Sequence, residues 1–318
     1  MSIKAPFHAE LAKGVAKGAA VWLQTRDGLR IRAGHWPALF PKTKGTVLIL
    51  PGRTEYIEKY DALAAELGSA GWASLAIDWR GQGRSERLAQ DPLLGHVWRF
   101  TDYQKDLDAV LDWLLHEGEP LGLAPPFMLF AHSMGGLIGL RALYRDLPLR
   151  AAVFSAPMWG IWLPLRHRPM AALLSRSQIA LRKDLAYAPT AAPISYVAAA
   201  AFAGNLLTSD PARWQEMKDQ LAQMPEVALG GPSLRWVREA LREARGLLRR
   251  PAPQLPALVG LGGREAIVLP KPIRARLADW PKARLDFYPE ARHELAHERD
   301  EIRSLFIARM LRFIEEQL

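Results

Sequence analysis

A serine stands where a predicted strand turns into a predicted helix. Residues 127–130 read Phe-Met-Leu-Phe, residues 131–135 read Ala-His-Ser-Met-Gly, and an apolar helical pattern follows from Gly136. A sharp turn of this kind pushes the serine hydroxyl out above the sheet and aims the next backbone N–H at the same space. We therefore predict Ser133 as a nucleophile and the Met134 N–H as an oxyanion donor.

A histidine late in the chain is the predicted base. His293 lies just after the strand-like residues 285–288, where the base belongs when the nucleophile sits on a strand–turn–helix. A free histidine titrates near pH ~6.5, so it can accept the serine proton at neutral pH. His297 is the second candidate, at a position where a helix is predicted to begin.

The same residues offer a competing chemistry. Residues 293–297 match H-E-x-x-H, in which one helix presents two imidazoles to zinc and the glutamate acts as base. Pro289 leaves little room for a helix before His293, and the candidates for a third ligand, Glu315 and Glu316, come very late. We therefore expect no metal and no cofactor.

Alternating strands and helices must position these residues. Apolar strand patterns and amphipathic helical patterns follow one another along the chain. The strands are predicted at 21–23, 29–33, 46–50, 73–77, 127–130, 151–154, 256–259 and 285–288, and the helices at 57–67, 103–115, 136–144 and 301–316. Continuous apolar strands separated by helices indicate an α/β fold with a mostly parallel sheet covered on both faces.

One long interval lacks strand patterns. From residue 159 to 250 the chain has helical, arginine-rich stretches, so we predict a helical cap (159–250) inserted between two parts of one core (1–158 and 251–318). Trp159 and Trp162 are the candidate substrate-binding residues of the cap, and residues 197–207 are predicted as a buried helix. The cap also carries a basic face, which is either a solvent-exposed helix surface or a contact for an anionic membrane. Its residues are Arg166, Arg168, Arg176, Arg182 and Lys183.

Two further segments complete a family pattern. Residues 51–56, Pro-Gly-Arg-Thr-Glu-Tyr, are similar to an oxyanion loop, and residues 78–85, Asp-Trp-Arg-Gly-Gln-Gly-Arg-Ser, are similar to a D-x-R-G-x-G-x-S turn. With the serine turn and the histidine loop, they resemble the lysophospholipase and monoglyceride lipase branch of the α/β hydrolases, which includes serine aminopeptidase-like sequences. The resemblance covers most of residues 45–157 and 254–318.

The resemblance implies the remaining site residues. It places the triad acid two residues before an Ile-Val pair, where this chain has Glu265 instead of the usual aspartate. Asp279 and Asp286 are the alternatives. It also implies the Arg53 N–H as the second oxyanion donor, after a glycine that Pro51 precedes in place of the usual histidine.

Composition narrows the class of protein. The formal net charge is +9, but no recognition motif accompanies it, so we expect no nucleic-acid partner. The chain has no cysteine, which excludes disulfides and thiolate chemistry. No secretory signal or apolar span of about 18 residues is visible. We expect a cytoplasmic protein, with peripheral contact to the inner face of the membrane as an option; the oligomeric state is open.

The combined prediction is a serine hydrolase of the α/β-hydrolase fold. By the resemblance, its substrate is an acyl ester or lipid, a lysophospholipid or a monoacylglycerol. A short-chain carboxylesterase, an aminopeptidase-like hydrolase and a non-catalytic ligand-binding member of the fold remain alternatives.

Overall fold

The sheet contains nine strands. The computed structural model describes residues 3–9, 11, 18–161, 184–189 and 191–318. Within them, the strands are β1 Ile3–Ala5, β2 Ala19–Gln24, β3 Arg30–Trp36, β4 Thr46–Leu50, β5 Ala73–Asp78, β6 Phe127–His132, β7 Leu149–Ser155, β8 Ala257–Gly262 and β9 Ala283–Tyr288. All predicted strands overlap β2 to β9. The three-residue β1 was not predicted, because it is too short to show a period.

Helices follow most of the strands. In the described residues they are α1 Asp61–Ser69, α2 Tyr103–Glu117, α3 Met134–Ala142, α4 Tyr196–Ala199, α5 Pro211–Gln223, α6 Leu234–Leu248, α7 Pro270–Ala278 and α8 Asp300–Glu315. The predicted helix over 57–67 divides into a 3-10 helix, Ile57–Tyr60, and α1. No helix among the described residues has the length and apolar character to cross a membrane.

The strand order creates a crevice at one edge of the sheet. The order is β1-β2-β3-β5-β4-β6-β7-β8-β9. The six strands from β5 to β9 in this order pair in parallel, and β1 to β3 add an antiparallel edge. The chain forms β5 on one side of β4 and then β6 on its other side, so the loops after β4 and β6 diverge at the carboxyl ends of the strands. The predicted mostly parallel α/β fold is confirmed.

Two apolar layers cover the sheet. In β4, Leu48 and Leu50 pack into one layer, whereas Val47 and Ile49 pack into the other. Side chains alternate between the faces of a strand, so a run of apolar residues is needed when both faces are buried. Because both faces of the sheet are packed, the carboxyl ends of the strands, which carry the site, are held in position.

The cap lies between β7 and β8. Its described part contains α4, α5 and α6, and apolar side chains of α5 pack against Tyr56 from the loop after β4. The helix predicted over 197–207 ends at Ala199, so that prediction was wrong beyond this residue. Asn205 explains the difference, because its side chain accepts the N–H groups of Leu207 and Thr208 and stabilises a turn.

Candidate active site

Ser133 lies on the sharp turn between β6 and α3. Its φ is +49°, a left-handed value that strains a residue other than glycine. Its N–H donates to Ser155 O at 3.0 Å, and its carbonyl accepts the Met158 N–H at 2.8 Å. A Cβ at Gly135 would lie 2.0 Å from Leu50 O. Glycine there lets α3 approach β4, and the backbone of neighbouring segments holds the strained turn.

Three side chains from separate loops meet at this turn. His293 Nε2 lies 2.9 Å from Ser133 Oγ, and His293 Nδ1 lies 2.7 Å from Glu265 Oε2. Ser133 follows β6, Glu265 follows β8 and His293 follows β9, so the parallel sheet brings all three to its carboxyl edge. In this geometry an imidazole can take the hydroxyl proton while the carboxylate orients it.

Glu265 is held by its own loop. Its Oε1 accepts the N–H groups of Ile267 at 2.6 Å and Val268 at 3.0 Å, which leaves Oε2 for His293. The alternative acids lie elsewhere: Asp286 is within β9, and Asp279 follows the end of α7. The glutamate therefore has both the reach and the fixed orientation that the position requires.

The electrostatics of His293 and Glu265 favour an ion pair. Burial lowers the pKa of His293, but the Glu265 carboxylate and the nearby acids outweigh burial, so the pKa lies above its ordinary value. Burial raises the pKa of Glu265, but His293 and the two loop N–H groups hold it below its ordinary value. A proton that leaves the serine is thus stabilised on the imidazole.

The oxyanion loop follows β4. The Gly52 N–H donates to the Glu55 carboxylate, and the Thr54 N–H donates to Gln82 Oε1 at 2.7 Å. The Arg53 N–H lies between these two engaged groups, in a loop that borders the same cavity as Ser133. The Met134 N–H is the first of α3, and the first N–H groups of a helix have no partner within it. Arg53 and Met134 remain the predicted oxyanion donors.

A buried ion network lies beneath the oxyanion loop. Lys59 Nζ donates to Glu55 Oε1 and to Glu294 Oε1, each at 2.7 Å. The Tyr60 hydroxyl donates to Glu55 Oε2 at 2.6 Å. Burial lowers the pKa of Lys59, but the two carboxylates raise it above its ordinary value. Because Glu294 is adjacent to His293, the network ties the oxyanion loop to the histidine loop.

The same cluster has the composition of a metal site. Glu55, His132 and Glu294 bring potential ligand atoms within 4.8 Å of one another. The Lys59 ammonium, however, donates to both carboxylates. Burial lowers the pKa of His132 to about 4, so this imidazole adds no charge. The cation between the acids is therefore supplied by the chain itself.

The H-E-x-x-H pattern does not form the helix that zinc binding needs. His293 and Glu294 precede a three-residue 3-10 helix, Leu295–His297. His293 uses both ring nitrogens in the contacts with Ser133 and Glu265, and His297 Nε2 lies 3.0 Å from Lys59 O. The two imidazoles are committed to different partners, which disfavours the zinc interpretation and the use of His297 as the base.

A cavity of about 260 Å³ opens above Ser133 and His293. We call its polar side the catalytic wall, formed by Ser133, His293, Glu55, Lys59 and Glu294. We call its apolar side the acyl wall, formed mainly by the cap residues Val197, Leu207, Met217 and Leu221. A cavity lined by both a polar reaction centre and apolar side chains suits an ester whose acyl part is hydrophobic.

Trp159 does not border this cavity in the described part of the chain. It is fully buried in the core, stacks on Trp280 at 6.3 Å and donates its indole N–H to Gly136 O at 3.0 Å. The prediction that Trp159 binds substrate is corrected for that reason. Trp162, the other candidate, lies outside the described residues, as do the basic cap residues between 166 and 183.

Sequence reasoning missed Lys59 and the Arg53 side chain. Glu55 and Lys59 are four residues apart, a spacing typical of paired charges on a helix, but the pattern contained nothing that linked them to Glu294. Arg53 was assigned only a backbone role, although its side chain also lines the cavity.

Comparisons with known proteins find relatives over most of the chain. The family model Hydrolase_4, described as serine aminopeptidase, S33, matches residues 41–300. Lysophospholipase L2 of Escherichia coli K12 is 33% identical over 294 residues, which cover 90% of this chain and 82% of that protein. The probable lysophospholipase L2 of Haemophilus influenzae is 29% identical over 278 residues, covering 85% of this chain and 84% of that protein.

Solved structures share the fold. A soluble variant of monoglyceride lipase from Saccharomyces cerevisiae, in complex with a substrate analog, has a TM-score of 0.74 at 20% identity and covers 98% of this chain and 99% of that one. The monoacylglycerol lipase of Paleococcus ferrophilus has a TM-score of 0.67 at 19% identity, covering 91% and 99%.

Proposed function

Because the chain belongs to the serine aminopeptidase S33 family of α/β hydrolases and is a serine ester hydrolase, we propose that Ser133, His293 and Glu265 act as its catalytic triad. The observation that carries this proposal is the position of the His293 ring, which lies 2.9 Å from Ser133 Oγ and 2.7 Å from Glu265 Oε2.

The proposed reaction has two acyl-transfer steps. Ser133 Oγ attacks the ester carbonyl while His293 Nε2 takes its proton, and the N–H groups of Arg53 and Met134 stabilise the oxyanion. His293 then protonates the departing alcohol, which leaves an acyl-enzyme. Water attacks this ester with His293 as base, and the fatty acid leaves Ser133. No step requires a metal or cofactor.

The proposed substrates are lysophospholipids or monoacylglycerols. Two observations support this class: the names of the relatives and structural neighbours, and the apolar cap residues that line the same cavity as Ser133 and His293. Such lipids present one ester between an acyl chain and a polar head, which matches one apolar and one polar wall.

A matched substrate series tests the proposal. Hydrolysis of p-nitrophenyl esters from acetyl to palmitoyl is compared with hydrolysis of 1-monopalmitoylglycerol, 1-palmitoyl lysophosphatidylethanolamine and an aminoacyl p-nitroanilide. We expect a long-acyl optimum and turnover of at least one lipid. An acetyl optimum supports the carboxylesterase, and a preference for the anilide supports the aminopeptidase. Absence of any turnover supports the non-catalytic alternative.

We also propose peripheral contact with anionic membranes. The support is chemical: residues 162–183, which lie outside the described part of the chain, carry several cations and no Asp or Glu. The test compares co-sedimentation with anionic phosphatidylglycerol vesicles and with neutral phosphatidylcholine vesicles. We expect the protein to bind the anionic vesicles and expect high salt to abolish this binding. Equal binding to the two kinds of vesicle contradicts an electrostatic contact.

A further inference from the structure

The Arg53 guanidinium lies at the seam between the oxyanion loop and the cap. Its Nη2 donates to Gly230 O, and its Cζ lies 5.5 Å from the centroid of the Trp236 ring. A Cβ at Gly95 would lie 2.4 Å from Nη2, so this glycine makes room for the guanidinium. Arg53 and Trp236 both line the cavity that contains Ser133.

This cation has no carboxylate partner among the described residues. Its Nε is buried and has no hydrogen-bond partner there, and the titratable groups that act on Arg53 are the hydroxyls of Tyr103 and Tyr187, whose raised pKa values keep them uncharged at neutral pH. Residues 162–183 contain no Asp or Glu, and Glu10 is the one acidic residue outside the described part of the chain. Burial lowers the pKa of Arg53 to about 10, so it stays charged at neutral pH.

The Arg53 side chain is half-buried, and a cation shielded from water without a counter-ion is costly unless a ligand supplies the charge. One carbonyl and one ring face satisfy the guanidinium only in part. Arginine presents several N–H groups in a planar fork that fits phosphate oxygens. The Arg53 backbone belongs to the oxyanion loop, so its guanidinium lies within one side-chain length of the reacting ester. In a lysophospholipid, a glycerol joins that ester to the phosphodiester.

We infer that the Arg53 guanidinium, against Trp236 of the cap, is a subsite for the phosphodiester of a lysophospholipid substrate. This inference rests on the proposed function and deepens it. A monoacylglycerol has a neutral head and leaves the guanidinium unpaired. Arg53 thus selects lysophospholipids over monoacylglycerols with the same acyl chain.

The test is the ratio of kcat/KM for 1-palmitoyl lysophosphatidylethanolamine to that for 1-monopalmitoylglycerol. Arg53→Gln keeps the backbone N–H and removes the charge. We expect the ratio to fall about 10- to 100-fold, the size of a lost charged hydrogen bond. Any loss common to both substrates cancels in the ratio. Arg53→Lys, which keeps the charge but loses the fork, is expected to give an intermediate ratio.

Arg26→Gln is the matched control, because Arg26 is 70% exposed in its side chain and its removal changes the net charge equally. It should leave the ratio at the wild-type value. An unchanged ratio in Arg53→Gln overturns the subsite. Wild-type protein that hydrolyses neither lipid instead contradicts the proposed function, so the two failures are distinct.

A second measurement uses the unaltered protein, in case Arg53→Gln fails to fold. Glycerophosphoethanolamine carries the phosphodiester without an acyl chain, and glycerol lacks both. We expect glycerophosphoethanolamine to inhibit p-nitrophenyl butyrate hydrolysis competitively at a concentration at which glycerol has no effect. Equal inhibition constants for the two compounds overturn the inference.

Discussion

The catalytic wall and the acyl wall face the same cavity but are built from different interactions. On the catalytic wall, His293 and Lys59 each bridge two partners at hydrogen-bond distance. On the acyl wall, apolar side chains such as Met217 and Leu221 belong to a small cluster in the cap. Directional bonds demand particular residue types, whereas apolar packing accepts any side chain of suitable volume.

The difference has a consequence for variants. A change on the catalytic wall should reduce rate or stability for every substrate, since it acts on the reaction centre. A change on the acyl wall should alter the ranking of substrates by acyl length. Four variants, in order of decreasing expected effect, test this distinction.

His293→Gln should have the largest effect. It removes the base while keeping a polar side chain of similar size, and loss of a triad base reduces kcat by about 10⁴- to 10⁶-fold. The loss should be equal for acetyl and palmitoyl esters. His116→Gln is the control, since that ring is 74% exposed. A loss below about tenfold in His293→Gln would remove this residue from the mechanism.

Glu265→Gln should reduce kcat by about 10³- to 10⁴-fold, because the imidazole loses its orientation. It should also shift the pH profile. The carboxylate holds the pKa of His293 above its ordinary value, and activity needs the neutral imidazole. Wild-type kcat/KM therefore falls as the pH drops through this raised pKa. Without the carboxylate the pKa falls, so the acid limb should move to lower pH.

The control for this experiment is Glu290→Gln, because Glu290 has a 58% exposed side chain that pairs with Arg264. Its pH profile should coincide with that of the wild type. An acid limb that stays in place in Glu265→Gln would mean that another carboxylate sets the pKa of the base.

Lys59→Met should act mainly on stability. It leaves the buried Glu55 and Glu294 without their shared cation, and breaking a buried pair typically costs about 3–5 kcal/mol. The free energy of unfolding, measured in urea, should fall by that amount. Lys44→Met removes an exposed pair with Glu315 and should cost at most about 1 kcal/mol. Equal effects of the two variants would contradict a structural role for the network.

Leu221→Trp should have the smallest effect on the reaction itself. The larger ring fills part of the acyl wall, so kcat/KM for palmitoyl esters should fall about tenfold, a loss of the size that a few methylene contacts provide. The acetyl ester should be hydrolysed as before. Leu305→Trp, at a position that is 46% exposed, is the control. An equal loss on both esters would show that the two walls are not independent.

The same contrast explains what the sequence could predict. The Ser133 turn has a local signature of strand, small residues and helix, and the order of acid and histidine along the chain follows from the parallel sheet. These features depend on short segments and on strand order, both of which are visible in residue patterns. The candidate triad residues Ser133, His293 and Glu265 could therefore be named in advance, whereas Lys59 of the catalytic wall could not.

The cap could not be predicted in the same way. An apolar residue such as Trp159 has the same signature whether it faces a cavity or the core. The turn at Asn205 depends on one side chain that caps its own backbone. Outside the cap, the ion pair between Lys59 and Glu294 could not be predicted either. It joins residues 235 positions apart, and only the folded chain brings them together.

The most direct test of the catalytic wall is covalent labelling with a fluorophosphonate, followed by peptide mapping. The serine oxygen should displace fluoride only when His293 accepts its proton. We expect one phosphonylated residue, Ser133, in the wild-type protein, with labelling and esterase activity lost in parallel, and strongly slowed labelling in His293→Gln. Esterase activity that is lost while Ser133 stays unmodified would contradict the account.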